Sequence, residues 1–559
     1  MGRPNSWRVS VCAVLAVLIA VPAYAAVIEG TVTDAGKQPL PGAMISLRDD
    51  ARGYYETVYA DAQGHYRLTT TQQGDLLVRA RNLSFADASR PLHLDSGSTP
   101  TVDFALSPLT DAADIADNLP ASAHFSKIPF DATGPNSRAA IQMTCTNCHS
   151  LGSAYNRVPR LPEEWAPVVA RMLAFNVGTP DAVINDLTES RSQKFAAGFT
   201  DVLPNHKEMP LFSPEQSSAR VIEWAVRGAT PLPFGITSSR DGKLYIADNG
   251  MDRLLVLDPA ETEVRPLPLV PPKDFMEIRI GAEGIAEGPD GKLYFTGPAS
   301  GTLGVLDPKS SELTLHPIGT RDPGMVRIAP NGVVWWTHFW DDDATDEHPA
   351  TGTVGRFDPK TNEVTLIQLP LNAPEEYVVP SLQPYAFGID IDPNSGDVWY
   401  SKLYANKIGR IDPKTFAIQE FTPPQMGPRG LRFDNKGNLW VAFPGSGSIA
   451  SFDPATMKWQ VYPLPTLSPE ETDAPYSLAI DPATQDVWVT ANQSDQMYRF
   501  IQADHRFVTY PMPTHDTWMR DIAFTADGLV CGSSGPLPTI NIEGGDPMVL
   551  CIDPKGAKK

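Results

Sequence analysis

The stretch GDVWYSKLYANKIGRIDPKTFAIQEFTPP, residues 396 to 424, contains one complete unit of the repeat that decides the fold of the C-terminal part of this chain. A glycine turn leads into an aromatic strand, a strand that ends in Asp-Pro follows, and an outer strand completes the unit. The aromatic strands read LYIAD (244 to 248), LYFTG (293 to 297), VWWTH (334 to 338), VWYSK (398 to 402), LWVAF (439 to 443), VWVTA (487 to 491) and LVCGS (529 to 533). Repeats of about 40 to 60 residues with four strands each are typical of propellers. The pattern predicts a seven-bladed β-propeller over residues 219 to 559.

The seventh unit lacks an outer strand, because only KGAKK follows Pro554. The phrase RVIEWAVRGATPLP, residues 220 to 233, is similar to the outer strands of the other units. We therefore expect about residues 220 to 227 to supply the outer strand of the last blade and to close the ring, which removes exposed sheet edges. The alternative is that SPEQSSARVIEWAV forms the last helix of the preceding domain.

The pentapeptide CTNCH, Cys145 to His149, has the spacing of a covalent attachment site for haem c. Cys145 and Cys148 would form thioethers to the haem, and His149 would ligate the iron. The alternative is a redox or structural CxxC pair. The neighbouring EEWAPVVARMLAF has apolar residues at spacings of three and four, which predicts a helix. Residues 110 to 218 are therefore predicted to form a small α-helical cytochrome c domain.

The sixth ligand of this haem iron has two main candidates. Met209 lies in KEMPLF, which resembles the Met-Pro loop of class I cytochromes c. Met172 lies in EEWAPVVARM, which resembles a WxxxxxRM helix in the haem subunits of quinohaemoprotein amine dehydrogenases. A histidine such as His206, or an open site, is the third alternative. A methionine thioether would raise the reduction potential.

The first 25 residues have the features of a secretory signal peptide. Arg3 and Arg8 precede an apolar run, and Ala23-Tyr24-Ala25 supplies small residues at the cleavage positions. We expect a periplasmic or secreted protein without a transmembrane segment after cleavage; the alternative is a retained anchor. The formal charge of -21 argues against nucleic acid as a partner and favours a basic redox partner protein or a cationic ligand.

Residues 26 to 109 contain short alternating strands separated by Gly, Pro and Asp turns, a pattern typical of a small β-sandwich. The order GTVTD, PLPGAMISL, DAQGHYRL, GDLLVRA and VDFAL resembles the carboxypeptidase regulatory-like, transthyretin-type domain, which implies no active site. The fold class expected for the whole chain is thus multidomain and mainly β: a transthyretin-like β-sandwich, a small cytochrome c domain and a propeller.

Cys531 and Cys551 are the two cysteines that remain when the signal peptide and the haem motif are set aside. Both end short apolar strand-like segments that could pair within one hairpin. An even remainder in an oxidising compartment predicts one disulfide. The alternative is two buried free thiols.

The propeller units, which read PxGI, DG, LWF, IGRIDP and TEYPLP, resemble the virginiamycin B lyase (streptogramin lyase) family. The resemblance implies a Mg²⁺-dependent elimination across the ester of a macrocyclic depsipeptide, with a His base and Glu metal ligands. No Glu-x-His pair matches the family residue by residue. His338 is the candidate base and Glu283 a candidate metal ligand. Asp341 and Asp343, in the acidic loop after His338, are candidate ligands for Mg²⁺ or Ca²⁺.

The repeat register also predicts which side chains face the propeller mouth: Arg279, Tyr385, Arg429, Tyr476 and Arg520. Arginines at such a mouth suit a carboxylate or phosphate on a ligand.

Three functions follow from these features. The first is an exported c-type haem protein in which electron transfer is coupled to a propeller that binds a small-molecule ligand or a redox partner. The alternative is a Mg-dependent lyase on cyclic depsipeptide or lactone esters with an accessory haem. The third is a non-enzymatic binding or sensor protein.

Overall fold

The computed structural model describes residues 25–174, 181–200, 202–203, 211–275, 278–319, 322–338, 352–373, 376–377, 385–538 and 542–556. Its regular structure is mainly β-strand, and its α-helices are confined to the segment between the sandwich and the ring of sheets. No helix of the described residues is long and apolar enough to cross a membrane.

The N-terminal unit is a β-sandwich whose two layers have the strand orders β4-β1-β7 and β3-β2-β5-β6. Its strands are β1 (Ala26–Asp34), β2 (Met44–Asp49), β3 (Tyr54–Tyr59), β4 (His65–Thr70), β5 (Gly74–Arg81), β6 (Ala88–Leu94) and β7 (Phe104–Leu106). Apolar side chains such as Ile28, Ile45 and Val78 fill the space between the layers. Burial of these alternating positions is the main force that holds the sandwich together.

The helical segment contains α1 (Ala112–Asn118), α2 (Ala121–Phe125), α3 (Arg138–Cys145), α4 (Pro162–Ala174) and α5 (Asp181–Gly198). Helix α4 buries Trp165, Val169 and Leu173, which follow the predicted spacing of three and four residues. The apolar core of this segment is continuous with propeller residues, including Tyr385 and Leu403. The helices are therefore packed on the propeller and share its core.

Seven four-stranded antiparallel units make up the rest of the chain. The first three contain β9 (Pro233–Ser238), β10 (Leu244–Asp248), β11 (Arg253–Leu257), β12 (Arg265–Pro268); β13 (Ile285–Glu287), β14 (Leu293–Gly297), β15 (Thr302–Leu306), β16 (Leu313–Pro317); and β17 (Pro323–Ile328), β18 (Val334–His338), β19 (Thr353–Asp358), β20 (Glu363–Gln368). The next three contain β21 (Ala386–Ile391), β22 (Val398–Lys402), β23 (Lys407–Ile411), β24 (Ile418–Phe421); β25 (Leu431–Phe433), β26 (Leu439–Phe443), β27 (Ser448–Asp453), β28 (Lys458–Pro463); and β29 (Pro475–Ile480), β30 (Val487–Ala491), β31 (Gln496–Ile501), β32 (Arg506–Pro511).

The last unit takes its outer strand from far upstream in the chain. It consists of β33 (Met519–Phe524), β34 (Val530–Ser534), β35 (Met548–Asp553) and β8 (Arg220–Ala225). Strand β8 pairs antiparallel with β35. It is a strand and not the helix that was the alternative in the sequence. The first strands of the seven units contact one another in cyclic order, including β33 with β9. The seven units thus have a propeller-like arrangement, and β8, which precedes the first unit in the chain, completes the last one.

Strand β8 also joins the ring to the sandwich. Its other edge pairs with β3, so that Tyr54 lies opposite Trp224 and Thr57 opposite Val221. One eight-stranded sheet therefore runs from the last propeller unit through β8 into the sandwich. Shared backbone hydrogen bonds of this kind fix the orientation of the two units.

Small residues in the third strands make room for the aromatic second strands. Gly355 lies opposite Trp336 and Gly409 opposite Tyr400, and a Cβ at either glycine would overlap the facing ring. Each glycine thus allows a large ring to lie flat on its neighbour, which explains why IGRIDP and VGRFDP recur in the sequence.

Cys531 and Cys551 face each other across β34 and β35 and are joined by a disulfide. Both cysteines are fully buried in the last propeller unit.

Candidate functional site at the propeller mouth

One residue of each unit lies where the first strand of that unit begins, at the end of the ring that contacts the helices. We call this set the mouth ring. Its members are Phe234, Glu283, Gly324, Phe387, Arg429, Tyr476 and Arg520. Five of the seven lie where the pairing register of the first strand shifts. Glu283 and Arg429 lie two residues before the start of β13 and β25, each followed by a glycine.

Consecutive members of the mouth ring stack on one another. The guanidinium carbon of Arg429 lies 3.2 Å from the centre of the Tyr476 ring and 5.4 Å from that of Phe387. The guanidinium carbon of Arg520 lies 4.5 Å from the Phe234 ring centre, and its Nη1 donates to the Tyr476 hydroxyl at 3.0 Å. Desolvated contacts between a cation and an aromatic face are favourable by about 2 kcal/mol. These contacts hold two cations side by side at the mouth.

Glu283 is the acidic member of the mouth ring. Its Oε2 accepts from Asn249 Nδ2 at 3.2 Å, whereas Oε1 is buried and has no hydrogen-bond partner among the described residues. Burial raises the pKa of Glu283 to about 8; the charges of Arg520 and Arg429 oppose this shift, and the charge of Asp322 adds to it. Burial thus favours the neutral form of the carboxyl group.

Helix α3 carries the CTNCH motif to this mouth. Ser137 caps the helix by accepting from the backbone N–H of Ala140, and Cys145 is the last helical residue. Gln142 donates to the carbonyl of Asp473 at 2.7 Å, and Met143 fits against Gly427 on the propeller. Because the helix is capped and its side chains contact the propeller, the loop that follows it has a defined position.

The loop after α3 is bonded directly to the mouth ring. Arg429 Nε donates to Asn147 Oδ1 at 3.2 Å, and Arg520 Nη2 donates to the carbonyl of Cys148 at 3.3 Å. The backbone N–H of Leu537 donates to the same carbonyl at 3.1 Å. The sequence left the distance between CTNCH and the mouth open, and the structure brings the two into hydrogen-bond contact.

Cys145 and Cys148 are both free thiols, and each is only partly exposed. Arg191 Nη1 donates to Cys145 Sγ at 3.5 Å. Burial raises the pKa of the Cys148 thiol, opposed by the charges of Arg520 and Arg429. Burial at this loop thus keeps the Cys148 thiol protonated at neutral pH.

His149 is held by one of its two ring nitrogens. Its Nδ1 lies 2.7 Å from the carbonyl of Ser150, so that Nδ1 carries the proton and Nε2 is the nitrogen with the free lone pair. Asn156 Nδ2 donates to the same carbonyl at 2.6 Å and fixes its direction. Burial lowers the pKa of His149, which keeps the ring neutral. A neutral imidazole oriented by a backbone carbonyl is the usual form of a metal-binding histidine.

The candidates for a sixth iron ligand stay open. Met172 lies on α4 and is half-buried. Met209 and His206 lie outside the described residues. The choice between them therefore remains a prediction.

Of the residues predicted for a lyase site, Glu283 and His338 lie within the described part of the chain. His338 ends β18 and is buried; its Nε2 accepts from Trp336 Nε1 at 2.6 Å, and burial lowers its pKa to about 3. Asp341 and Asp343 lie outside the described residues. Within the described ranges, no three His, Cys, Asp or Glu side chains are grouped so as to hold a metal ion.

Arg279 and Tyr385 were also expected at the mouth, and each has different contacts. The Arg279 side chain donates to the carbonyl of Asn249, and Tyr385 is buried in the cluster shared by the helices and the propeller. Phe234 and Phe387 were missed as mouth residues. They could have been found, because each precedes the glycine of its first strand, as Glu283 and Arg429 do.

Comparisons with known proteins agree with this architecture. Residues 215–452 match the Virginiamycin B lyase family, and residues 27–107 match the Carboxypeptidase regulatory-like domain. The chain therefore carries a β-propeller similar to those lyases and a carboxypeptidase regulatory-like domain. Neither match includes the helical segment. No curated protein matches the chain significantly.

Several solved structures align with this chain at low identity. A streptogramin B lyase aligns with 20% identity and a TM-score of 0.48 over 60% of this chain and 97% of the lyase. The virginiamycin B lyase of Staphylococcus aureus aligns with 18% identity and a TM-score of 0.47 over 60% of this chain and 99% of its own. The hydrazine synthase of Kuenenia stuttgartiensis aligns with 15% identity and a TM-score of 0.42 over 58% of this chain and 96% of that chain.

Proposed function

We propose that this chain is an exported c-type haem protein in which electron transfer at CTNCH is coupled to a ligand or partner bound at the propeller mouth. The observation that carries the proposal is the pair of hydrogen bonds from Arg429 to Asn147 and from Arg520 to the Cys148 carbonyl. Because these bonds join the attachment motif to the mouth ring, a charge or ligand at the mouth acts on the haem site over a few ångströms.

The residues present fit a covalently attached haem. Cys145 and Cys148 are free for thioether bonds, and His149 presents Nε2 while Nδ1 is held by Ser150. Cys145 also packs against the apolar cluster of the helices, which suits a large apolar macrocycle. A bound haem supplies one-electron chemistry, with a potential set by axial ligands, charge and burial.

Residues around the motif hold His149 and Cys148 in place. Ser150 and Asn156 orient the imidazole of His149, and Arg520 and Leu537 fix the Cys148 backbone. Oriented ligands and buried cations near the iron are the levers through which a protein sets a haem potential. The negative net charge of the chain favours a basic redox partner.

Expression of the full chain in a bacterial periplasm with c-type haem maturation tests the proposal. We expect covalent haem in the intact mass and in a haem-stained denaturing gel. The Cys145→Ser/Cys148→Ser double variant should lose it. The matched control, Cys531→Ser/Cys551→Ser, should keep the haem, because those cysteines lie in the disulfide. A wild-type chain that matures without covalent haem would contradict the proposal.

The second candidate function is a Mg-dependent lyase on cyclic depsipeptide or lactone esters, favoured by the family match over residues 215–452. In this case His338 would be the base and Glu283, with Asp341 and Asp343, the metal ligands. Opening of a streptogramin B substrate should then require Mg²⁺ and disappear in His338→Ala. Full activity in that variant would remove His338 as the base.

A further inference from the structure

Two buried cations of the mouth ring have no carboxylate partner in the part of the chain that the structure describes. Arg520 is 2% exposed and Arg429 is 9% exposed. Among the described residues, no carboxylate lies within ion-pair distance of either guanidinium. Removing a charge from water without a counter-charge costs several kcal/mol.

Two other arginines on first strands of the ring each lie close to a carboxylate. Arg327 Nε lies 3.8 Å from Asp390, and Arg432 Nη2 lies 3.4 Å from Asp521. Among the described residues, Arg327 and Arg432 each have a carboxylate partner, whereas Arg429 and Arg520 have none. Both guanidinium groups of the mouth ring are therefore candidates to bind an anionic ligand.

Glu283 supplies an independent sign of a missing ligand. It is 7% exposed, and its Oε1 is buried without a hydrogen-bond partner within the described part of the chain. A buried oxygen without a hydrogen-bond partner is destabilising. Glu283 occupies the mouth-ring position of its unit, as Arg429 and Arg520 do in theirs.

We propose that Arg429, Arg520 and Glu283 form a binding site for an organic carboxylate at the propeller mouth. The two guanidinium groups would bind the carboxylate oxygens, and Glu283, with its unpartnered Oε1, would line the same site. The proposal deepens the proposed function, because it names the ligand chemistry of the same mouth.

The aromatic members of the ring favour an organic ligand over an inorganic anion. Phe234 lies against Arg520, and Phe387 lies against Arg429. An apolar body attached to the carboxylate would contact these rings and be removed from water. Two sources have this chemistry: a free organic acid, and a propionate of the haem bound at Cys145 and Cys148.

The test uses benzoate as the probe and the Tm of the full chain as the readout, with benzamide as a neutral probe and chloride at equal ionic strength. It runs on the haem-free Cys145→Ser/Cys148→Ser protein and on the haem-loaded protein. Ligand at 100 times its Kd stabilises a protein by about 2.7 kcal/mol. We expect benzoate, and not benzamide or chloride, to raise the Tm of the haem-free protein. The effect should disappear in Arg429→Gln.

Variants and controls separate binding from damage to the fold. If Arg520→Gln fails to fold, Arg429→Gln alone decides the test, since Arg429 makes fewer bonds to the mouth. Arg432→Gln is the matched control: it removes an arginine of the same unit that already has a carboxylate, and it should respond to benzoate as the parent protein does.

The outcomes are distinct. Benzoate stabilisation in both proteins identifies a free organic acid as the ligand, and stabilisation of the haem-free protein alone identifies the haem propionate. A haem-free protein that shows no benzoate effect, or the same effect in Arg429→Gln, overturns the carboxylate site. The haem-free arm needs no haem, so failure of the haem proposal leaves this test intact.

Discussion

The carboxamide of Gln493 is hydrogen-bonded at both ends to the backbone of Leu151: Oε1 accepts from the Leu151 N–H at 2.8 Å, and Nε2 donates to the Leu151 carbonyl at 3.2 Å. Gln493 is a buried propeller residue, and Leu151 lies two residues after His149. The Gln493 side chain thus bonds both the N–H and the carbonyl of one residue, as a neighbouring β-strand would. It fixes the loop that carries His149 to the propeller.

Gln493→Ala should loosen this loop and cost about 1 to 3 kcal/mol, because the Leu151 N–H and carbonyl would lose their partners in a buried place. Limited proteolysis between residues 149 and 160 measures the effect: cleavage should be faster in the variant. Gln460→Ala, which changes an exposed glutamine on β28, is the control and should be cleaved like the wild type. Equal rates in all three proteins would show that the loop is held elsewhere.

Gly409→Ala should destabilise the propeller by about 1 to 3 kcal/mol, because the added Cβ overlaps the Tyr400 ring and a packed core cannot make room. Thermal unfolding of the full chain measures the loss. The neighbouring unit offers the compensating change, since Ala450 lies opposite Val441 there. The Gly409→Ala substitution should therefore lower the Tm less when it is made in Tyr400→Val than when it is made in the wild type. An equal penalty in both backgrounds would mean that ring contact is not the cause.

The parts of this fold that follow from local sequence were predictable. The aromatic strands and the outer-strand phrase at β8 repeat, and a repeated pattern fixes strands and their order. The contact of Asn147 with Arg429 could not be predicted in this way, because it joins two units whose surfaces share no pattern. The pairing of Trp336 with His338 was within reach, since residues i and i+2 of a strand lie on one face.

Glu543 connects the propeller to the sandwich and should make their docking sensitive to acid. Its carboxylate accepts from Arg79 at 3.0 Å and from Arg81 at 2.8 Å, and 34% of its side chain is exposed. Burial raises the pKa of Glu543, but the hydrogen bonds and charge of Arg81, with Arg79, outweigh burial and hold it well below its usual range. The stabilisation is therefore present above the unfolded pKa of about 4.3 and is lost as the pH falls further.

Glu543→Gln should remove this contribution. The Tm of the wild type should exceed that of the variant at pH 6, and the difference should shrink as the pH falls below about 4.3, the unfolded pKa of glutamate. Glu363→Gln is the control, because Glu363 is exposed on β20; its Tm should follow the wild type throughout. A constant difference between wild type and Glu543→Gln across this range would contradict the ion pairs as its source.

His338 should make the ring itself sensitive to mild acid. Burial lowers its pKa to about 3, while its unfolded value is about 6.5. The unfolded chain therefore binds a proton between these values that the folded chain does not, so the stabilisation from neutral His338 is present above pH 6.5 and is lost as the pH falls toward 3. His338→Gln keeps an acceptor for the Trp336 indole and should match the wild-type Tm at pH 7. Between about pH 6 and pH 4 its Tm should fall less than that of the wild type. Parallel curves would mean that His338 takes up its proton in the folded ring as readily as in the unfolded chain.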